Sequence, residues 1–286
     1  MKARGPAVSS KLRQMNTDQI PHAFLAESTS SFTQFLERHH SDLLPWSRVG
    51  SAAEMSPTAT TIVAVTCQNA VVIAGDRRAT MGSMIAQRDI QKVYVADDYS
   101  AIGIAGSAGL GMDLVRLFRL ELEHYEKIES IPLTLDGKAN RLASMIRGHL
   151  PMALQGFVIM PLFVGWDRER LRPRIFSLDP TGGLYEETGF CAIGSGSVFA
   201  KGSLKKLYNP DVDLDQAVKI CIQALFDAAD DDSATGGPDV MRKIYPVVVT
   251  VTSDGASQMA EDAVGDLTQD VLASRAIRPD GPEAKS

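Results

Sequence analysis

The order in which two kinds of apolar pattern follow one another along the chain limits the fold most strongly. Short β-branched and apolar runs bounded by turn residues predict strands, whereas apolar residues at helical spacing predict helices. From residue 60 onward the patterns predict strands, two helices, strands, two further helices and a last pair of strands. Grouped blocks of this kind favour a layered α+β domain over alternating βαβ units. We therefore expect a four-layer αββα sandwich, in which two sheets pack face to face and helices cover both outer faces.

The bounds of the predicted elements follow from these patterns. Strands are expected at residues 60–65, 70–74, 92–96, 101–105, 158–165, 173–178, near 183–193, at 245–252 and after Asp254. Helices are expected at residues 110–126, 135–154, 197–207 and 214–229. Clusters of Asp, Asn, Gly and Ser separate the segments, as is typical of turns.

Both ends of the chain differ in composition from its middle. Residues 1–59 are polar and contain four prolines, and the basic start is not followed by the apolar core of a secretory signal. Within them, residues 31–44 carry apolar side chains at helical spacing, interrupted by two histidines. Two interpretations stay open for this stretch: a short amphipathic helix that docks on a partner surface, or part of a disordered leader. Residues 276–286 contain Pro, Gly and charge and are expected to form a flexible tail.

Composition excludes several classes of function. The net charge of −6 gives no basic field that would attract nucleic acid. No apolar stretch approaches the roughly 20 residues needed to cross a bilayer, so no membrane partner is expected. The three cysteines are widely spaced and the five histidines show no metal spacing, so neither a metal nor a cofactor is expected. Cysteine usage of this kind fits a reducing cytoplasm.

Three motif-like segments lack the spacing that their chemistry requires. Residues 106–111 are glycine-rich between a strand and a helix, but they match neither a dinucleotide-binding loop nor a Walker loop. Residues 194–197 resemble a nucleophile elbow but are out of register with Gly-x-Ser-x-Gly. Residues 230–232 suggest a calcium loop, but the oxygen ligand and the glycine that should follow are missing. We therefore assign none of these three chemistries.

A different set of motifs follows one consistent order along the chain. The set comprises Thr60-Thr61-Ile62-Val63, Gly75-Asp76-Arg77-Arg78-Ala79-Thr80, Lys92, Gly103-Ile104-Ala105-Gly106, residues 121–127, Gly194-Ser195-Gly196-Ser197, Phe199-Ala200-Lys201 and residues 230–239. Together these motifs resemble the β subunits of the 20S proteasome, nearest to the actinobacterial type, over residues 60–274. The resemblance implies that residues 1–59 are a propeptide cut off between Ala59 and Thr60, and that residues 60–275 form the catalytic domain.

The implied chemistry agrees with the properties of an N-terminal threonine. A threonine hydroxyl is a poor nucleophile until a base takes its proton, and a free α-amine with a pKa near 7.7–8.0 is suited to that task. A cut before Thr60 would create the base and the nucleophile on one residue. Lys92 would favour deprotonated forms beside it, and Asp76 would hold Lys92 in position. The Gly106 N–H would donate to the developing oxyanion.

The resemblance also implies a hydrogen-bond network and a substrate pocket. Ser195, Asp232 and Thr235 would complete the network around the amine, with Thr235 standing where many relatives carry serine. The residues implied near the pocket are mostly apolar and partly small: Ala79, Thr80, Ile90, Ile104, Ala108 and Met112. A roomy apolar pocket accepts apolar or aromatic side chains just before the cut.

Three alternatives remain open beside this interpretation. They are the two-ring bacterial threonine protease HslV, a non-catalytic structural ring subunit, and an N-terminal-nucleophile amidase acting on small molecules. Taken singly, the implied residues also have ordinary explanations, as strand residues, a surface ion pair or turn residues. The joint presence of Thr60, Asp76 and Lys92 disfavours a non-catalytic subunit.

By resemblance, the partners are α subunits and further β subunits in stacked seven-membered rings, with active sites facing an inner chamber. An ATPase ring would deliver unfolded, tagged proteins, so that proteins and peptides are the substrates.

Overall fold

The structure, a computed structural model, describes residues 60–281 of the chain. The strands are β1 (Thr61–Cys67), β2 (Ala70–Gly75), β3 (Ala79–Met81), β4 (Met84–Gln87), β5 (Val93–Asp97), β6 (Ser100–Gly106), β7 (Ile159–Asp167), β8 (Arg172–Leu178), β9 (Leu184–Glu187), β10 (Phe190–Gly194), β11 (Val247–Thr252) and β12 (Gly255–Gln258). The helices are α1 (Ala108–Glu129), α2 (Leu135–Gly148), α3 (Leu150–Ala153), α4 (Ser197–Leu207), α5 (Leu214–Asp231) and α6 (Glu261–Ile277). Residues 1–59 lie outside the described residues, and so do both interpretations of residues 31–44 and the predicted cleavage position Ala59; residues 282–286 lie outside them as well.

Two antiparallel five-stranded sheets form the middle of the domain. The first has the order β10-β1-β2-β11-β12 and the second has the order β5-β6-β7-β8-β9, while β3 and β4 form a separate hairpin. In β1 the side chains of Ile62 and Ala64 pack between the sheets, and those of Val63 and Val65 pack against helices. This division follows from the pleat, because successive side chains of a strand point to opposite faces.

Three apolar cores separate four layers. The core between the sheets is formed by residues such as Ile73, Leu162 and Val249. A second core lies between the first sheet and helices α4, α5 and α6, and a third lies between the second sheet and helices α1 and α2. The expected αββα sandwich is therefore confirmed, and β1 lies inside it with both faces covered.

Two predicted segments are each divided in the structure. The helix expected at 135–154 breaks at His149 into α2 and the single-turn helix α3. Pro151 explains the break, because it donates no backbone hydrogen bond and disfavours helical backbone at the residue before it. The strand region near 183–193 is two strands that belong to different sheets, with a turn at Gly189 (φ +78°) between them.

Two elements of the described chain were not expected from the sequence. One is the β3–β4 hairpin, whose second strand is short, is exposed throughout and does not alternate apolar with polar residues. The other is α6, whose inward face includes Gly265, Thr268 and Arg275 instead of a continuous apolar stripe. Arg275 is buried because its guanidinium pairs with Asp227 at 2.6 Å. Within residues 60–281 none of the helices is long and apolar enough to cross a membrane.

Candidate active site

A buried ion pair lies where β2 ends and β5 begins. Asp76 follows the last residue of β2, Lys92 precedes the first residue of β5, and Lys92 Nζ lies 2.7 Å from Asp76 Oδ1. The same ammonium donates to the Arg78 carbonyl oxygen at 2.5 Å. The two chain segments approach closely because residue 75 is glycine: a Cβ there would come 2.9 Å from Val93 Cγ2.

Both charged groups of this pair are fixed by their surroundings. Burial lowers the pKa of Lys92 below its ordinary value, and the charge of Asp76 opposes that shift. The Asp76 carboxylate accepts four hydrogen bonds, from Lys92 Nζ and Thr61 N at Oδ1 and from Arg78 N and Gly236 N at Oδ2. Because both oxygens are engaged, the carboxylate cannot rotate without breaking a bond, and the position of the ammonium is held.

Thr60 stands immediately before β1 and is only 4% exposed. Its carbonyl oxygen accepts a hydrogen bond from Ser195 N at 3.0 Å, next to the end of β10. Gly194 permits this contact with φ +97°, and a Cβ at that position would come 1.8 Å from the Thr60 oxygen. The local backbone thus fixes Thr60 at the open end of the first sheet.

A cleft lies beside Thr60 and Lys92. It has about 330 Å³ of empty space, part of it open to solvent. Its lining consists of Thr60, Ala79, Ile90, Gln91, Lys92, Tyr94, Ile104, Gly106, Ala108 and Met112. The residues expected near a substrate pocket therefore come together here, except for Thr80, which is buried but does not line the cleft. The cleft is mostly apolar near the threonine, which suits an apolar side chain.

Gly106 forms part of the cleft wall between β6 and α1. Its φ is +106°, and a Cβ would come 2.2 Å from the Val158 carbonyl oxygen. No other residue type fits this conformation and this space without a shift of the backbone. Glycine here brings the strand-to-helix turn close to the lysine–aspartate pair.

A second group of hydrogen bonds is centred on the carboxylate of Asp232, at the end of α5. Its Oδ2 accepts hydrogen bonds from Ser195 Oγ and Thr235 Oγ1, both at 2.6 Å, and its Oδ1 accepts one from Ala234 N at 3.1 Å. Burial by itself would raise the pKa of Asp232, but these hydrogen bonds and the charge of Lys92 lower it below its ordinary value. Of the three residues expected to form a network, Ser195 and Thr235 therefore both bond to Asp232.

Several groups in the site were missed by the sequence analysis. They are the Thr61 backbone and hydroxyl, the Gly196 and Gly236 N–H groups, the Arg78 carbonyl, Gln91 and Tyr94. Most act through the backbone or lie far apart in sequence, so residue type alone gives no signal for them. The alternation of side chains along β5 was the one usable signal, because it puts Tyr94 on the same side as Lys92.

Residues 60–281 contain neither a metal-type cluster of side chains nor an exposed thiol. Among residues 60–281, no cluster of His, Cys, Asp and Glu has the arrangement of a metal site. Cys67, Cys191 and Cys221 are buried free thiols, and burial raises the pKa of each; that of Cys191 reaches about 12. Thiols of this kind are poor nucleophiles at neutral pH.

An αββα sandwich whose first strand follows a buried threonine, next to a buried lysine–aspartate pair, has the architecture of the N-terminal-nucleophile hydrolases. Comparison with known proteins agrees with that class and narrows it. The family model described as proteasome subunit matches residues 56–244. A proteasome subunit beta of Streptomyces griseus is 51% identical over 273 residues, which cover 94% of this chain and 97% of the relative. One of Acidothermus cellulolyticus is 54% identical over 273 residues, covering 93% and 94%.

The chain belongs to the proteasome subunit family, and its relatives put it among the β subunits of bacterial proteasomes. Membership implies assembly with other proteasome subunits and a part in a protease.

Proposed function

We propose that the mature chain is a threonine-type endopeptidase whose nucleophile is Thr60, created by removal of residues 1–59. One observation carries the proposal: Thr60 shares the wall of an apolar cleft with Lys92, whose ammonium is held by the buried Asp76 carboxylate. An alcohol needs a base and a favourable field to attack an amide, and this arrangement supplies the field while a free α-amine would supply the base.

The reaction follows from these groups. As Thr60 Oγ1 attacks the peptide carbonyl carbon, its proton passes to the α-amine. The Gly106 N–H stabilises the oxyanion of the tetrahedral intermediate. The C–N bond then breaks, the leaving amine takes the proton, and an ester remains on Thr60. A water molecule, deprotonated by the same amine, then attacks the ester carbon. The bond between that carbon and Thr60 Oγ1 breaks, the amine returns the proton to Oγ1, and the carboxylic acid product leaves.

The residues around the amine have supporting roles in this scheme. Lys92 lowers the pKa of nearby groups and so favours the deprotonated nucleophile. Asp232 and Ser195 lie on the side of the β1 terminus opposite Lys92. There Ser195 N donates to the Thr60 carbonyl oxygen. Thr235 donates to Asp232 and keeps that carboxylate in place.

Substrate selection belongs to the cleft. Ala79 and Ala108 leave room, while Ile90 and Ile104 supply apolar walls. We expect cleavage after apolar or aromatic residues, because such side chains gain free energy on leaving water.

Assembly completes the proposal. The chain forms stacked seven-membered β rings between α rings in the cytoplasm, and an ATPase ring delivers unfolded, tagged proteins. The precursor is a zymogen, and the Thr60 hydroxyl performs its own processing by attack on the carbonyl of Ala59. Because the active sites would face an inner chamber, folded proteins outside it would be protected from cleavage.

The test is co-expression of the full chain with its α partner, as wild type and as Thr60→Ala. We expect wild-type particles to start at Thr60 by N-terminal sequencing, to hydrolyse peptides, and to carry a threonine-directed electrophile on Thr60. We expect Thr60→Ala particles to assemble and to be inactive, because the substitution removes only a hydroxyl and a methyl group. Peptidase activity in assembled Thr60→Ala, or an adduct on Cys67 or Ser195, would show that the nucleophile is wrong.

A further inference from the structure

Thr61 bonds directly to the Asp76 carboxylate and reaches the Asp232 carboxylate through Thr235, although its side chain does not line the cleft. Its side chain is fully buried. Its backbone N–H donates to Asp76 Oδ1 at 2.8 Å. Its hydroxyl accepts from Gly196 N at 3.0 Å and lies 2.6 Å from Thr235 Oγ1. The residue therefore contacts the end of β2, the start of α4 and the loop after α5 at once.

The pleat of β1 explains how one residue reaches both sides. Thr61 and Val63 share the face that packs against helices, whereas Ile62 faces the second sheet. The Thr61 side chain thus points away from the cleft, towards Gly196 and Thr235. Its N–H lies in the plane of the sheet and reaches Asp76 at the neighbouring strand.

The direction of each hydrogen bond in this group is determined. A carboxylate only accepts, so Thr235 Oγ1 and Ser195 Oγ both donate to Asp232 Oδ2. The Thr235 proton is then used, and the short contact between the hydroxyls requires Thr61 Oγ1 to donate to Thr235 Oγ1. Thr61 Oγ1 in turn accepts the proton of the Gly196 N–H. The result is an ordered chain from Gly196 through Thr61 and Thr235 to Asp232.

This series of hydrogen bonds has little room for rearrangement. A Cβ at residue 196 would come 2.5 Å from Thr61 Oγ1 and 2.6 Å from Thr235 Oγ1, so only glycine fits between them. Consecutive hydrogen bonds polarise one another, which strengthens the last bond to Asp232. Loss of the Thr61 hydroxyl would leave the buried Gly196 N–H without its acceptor and would weaken the hold on Asp232.

We propose that Thr61 is a positioning residue, whose hydroxyl sets the Thr235–Asp232–Ser195 group relative to Thr60 and whose N–H sets Asp76. The inference rests on the proposed function and deepens it, since it makes efficient turnover depend on Thr61, whose side chain does not line the cleft. Because Thr61 acts through other residues, its loss should reduce kcat and leave KM unchanged. Self-cleavage should slow as well, since it uses the same groups.

The experiment compares Thr61→Val, Thr61→Ser and Thr250→Val in particles assembled from the full chain with its α partner. Valine keeps the shape and the backbone N–H but removes the hydroxyl, whereas serine keeps the hydroxyl. Thr250 is the matched control, a buried threonine on β11 of the same sheet, whose hydroxyl bonds to no residue of 60–281 except Ser257. Rates are expressed per mature N-terminus, counted by intact mass. If Thr61→Val does not assemble, Thr61→Ala replaces it, because alanine adds no methyl group against Gly196.

We expect Thr61→Val to lower kcat about 10- to 100-fold with KM within about twofold, and Thr61→Ser to restore most of the loss. We expect Thr250→Val to match the wild type. Precursor that assembles but fails to mature in Thr61→Val, yet matures in Thr61→Ser, also supports the proposal.

A double-mutant cycle tests whether Thr61 acts through Thr235. If both hydroxyls belong to one series of hydrogen bonds, the double variant Thr61→Val/Thr235→Val should have a kcat only slightly below that of the less active single variant. Independent, multiplicative losses would overturn the inference.

Two failures can be told apart. If Thr61→Val turns over like wild type while Thr60→Ala is inactive, the role of Thr61 is wrong and the proposed function stands. If assembled wild type that starts at Thr60 hydrolyses no peptide, the proposed function fails and takes this inference with it.

Discussion

Lys92 Nζ and Asp76 Oδ1 lie 2.7 Å apart in an ion pair in which neither side chain is more than 5% exposed. Burial of two charges is expensive, and a pair like this is often no more stabilising than well-packed apolar residues. Its place in the cleft wall, beside a threonine, therefore indicates a chemical role more strongly than a structural one.

The first prediction concerns this lysine. Lys92→Ala should lower kcat/KM at least about 100-fold, because the nucleophile loses the positive charge that favours its deprotonated form. Lys138→Ala is the matched control: Lys138 is also buried and pairs with Asp97 at 2.6 Å, but it belongs to α2, away from the cleft. We expect that control to lose stability and to keep its turnover per folded particle. Equal activity of Lys92→Ala and wild type, measured with a fluorogenic peptide, would contradict the assignment.

The second prediction concerns specificity. Ala108→Val should narrow the cleft and lower kcat/KM for a peptide with phenylalanine before the cut about tenfold relative to one with alanine. The reason is steric, because Ala108 lines the cleft together with Ile90 and Ile104. Leu120→Val, on the same helix but 59% exposed, should leave the ratio unchanged. An unchanged ratio in Ala108→Val would mean that the side chain before the cut binds elsewhere.

The layered fold could be predicted because its signals are local: period-two and helical patterns mark the blocks of strands and helices. The Asp76–Lys92 pair was expected only from the resemblance to a known family, because residue types 16 positions apart do not by themselves indicate a contact. The failures have physical causes. Helix α6 buries Arg275 through its pair with Asp227, so it shows no apolar stripe. The contact of Thr61 with Thr235 joins residues 174 positions apart, which no local pattern encodes.

The third prediction concerns stability and pH, and depends on Arg174. This guanidinium is buried at 4% exposure and pairs with Asp136, Asp167 and Glu186 at 2.7–2.9 Å. Hydrogen bonds from Arg174 hold the pKa of Asp136 and of Glu186 below their ordinary values. Burial would raise the pKa of Asp167, but backbone donors and Arg174 outweigh it and lower the pKa.

The sign of the pH dependence follows from these lowered values. A carboxyl group whose pKa is lower in the folded protein than in the unfolded chain stabilises the folded state. This stabilisation is complete above the unfolded-state pKa of about 4 and is lost as the pH falls through the folded-state pKa. The wild-type free energy of unfolding should therefore fall below about pH 4. Arg174→Gln should lose about 3 kcal/mol at pH 7, because the buried Asp167 loses its partner at 2.9 Å and keeps the more distant, half-exposed Arg170 at 3.4 Å. The difference from wild type should shrink as pH falls.

Denaturant unfolding at several pH values between 3 and 7 measures this difference. Arg172→Gln is the control, since Arg172 lies on the same strand, pairs with Glu186 and is 55% exposed. We expect that exposed pair to contribute less than about 1 kcal/mol. A constant difference between Arg174→Gln and wild type across the pH range would refute the explanation by linked carboxylates.

The last prediction concerns the cut that exposes Thr60. Members of the family that this chain resembles usually carry glycine immediately before the threonine, whereas this chain has Ala59. Attack of the Thr60 hydroxyl on the preceding carbonyl needs a tight backbone turn, which glycine reaches more easily because it lacks Cβ. A strain of roughly 1 kcal/mol would slow the step several-fold without preventing it. We therefore expect slow maturation in the wild type and faster maturation in Ala59→Gly.

A time course of precursor loss in assembled particles, followed by N-terminal sequencing, measures these rates for wild type, Ala59→Gly and Thr60→Ala. Ala53→Gly, also within residues 1–59, controls for added backbone freedom away from the proposed cut and should mature like wild type. A cut before Thr61 is disfavoured, because the Thr61 hydroxyl faces Thr235 at 2.6 Å, on the side of β1 that carries helices. Maturation that begins at Thr61, or normal maturation of Thr60→Ala with no other active subunit present, would rule out self-cleavage by Thr60.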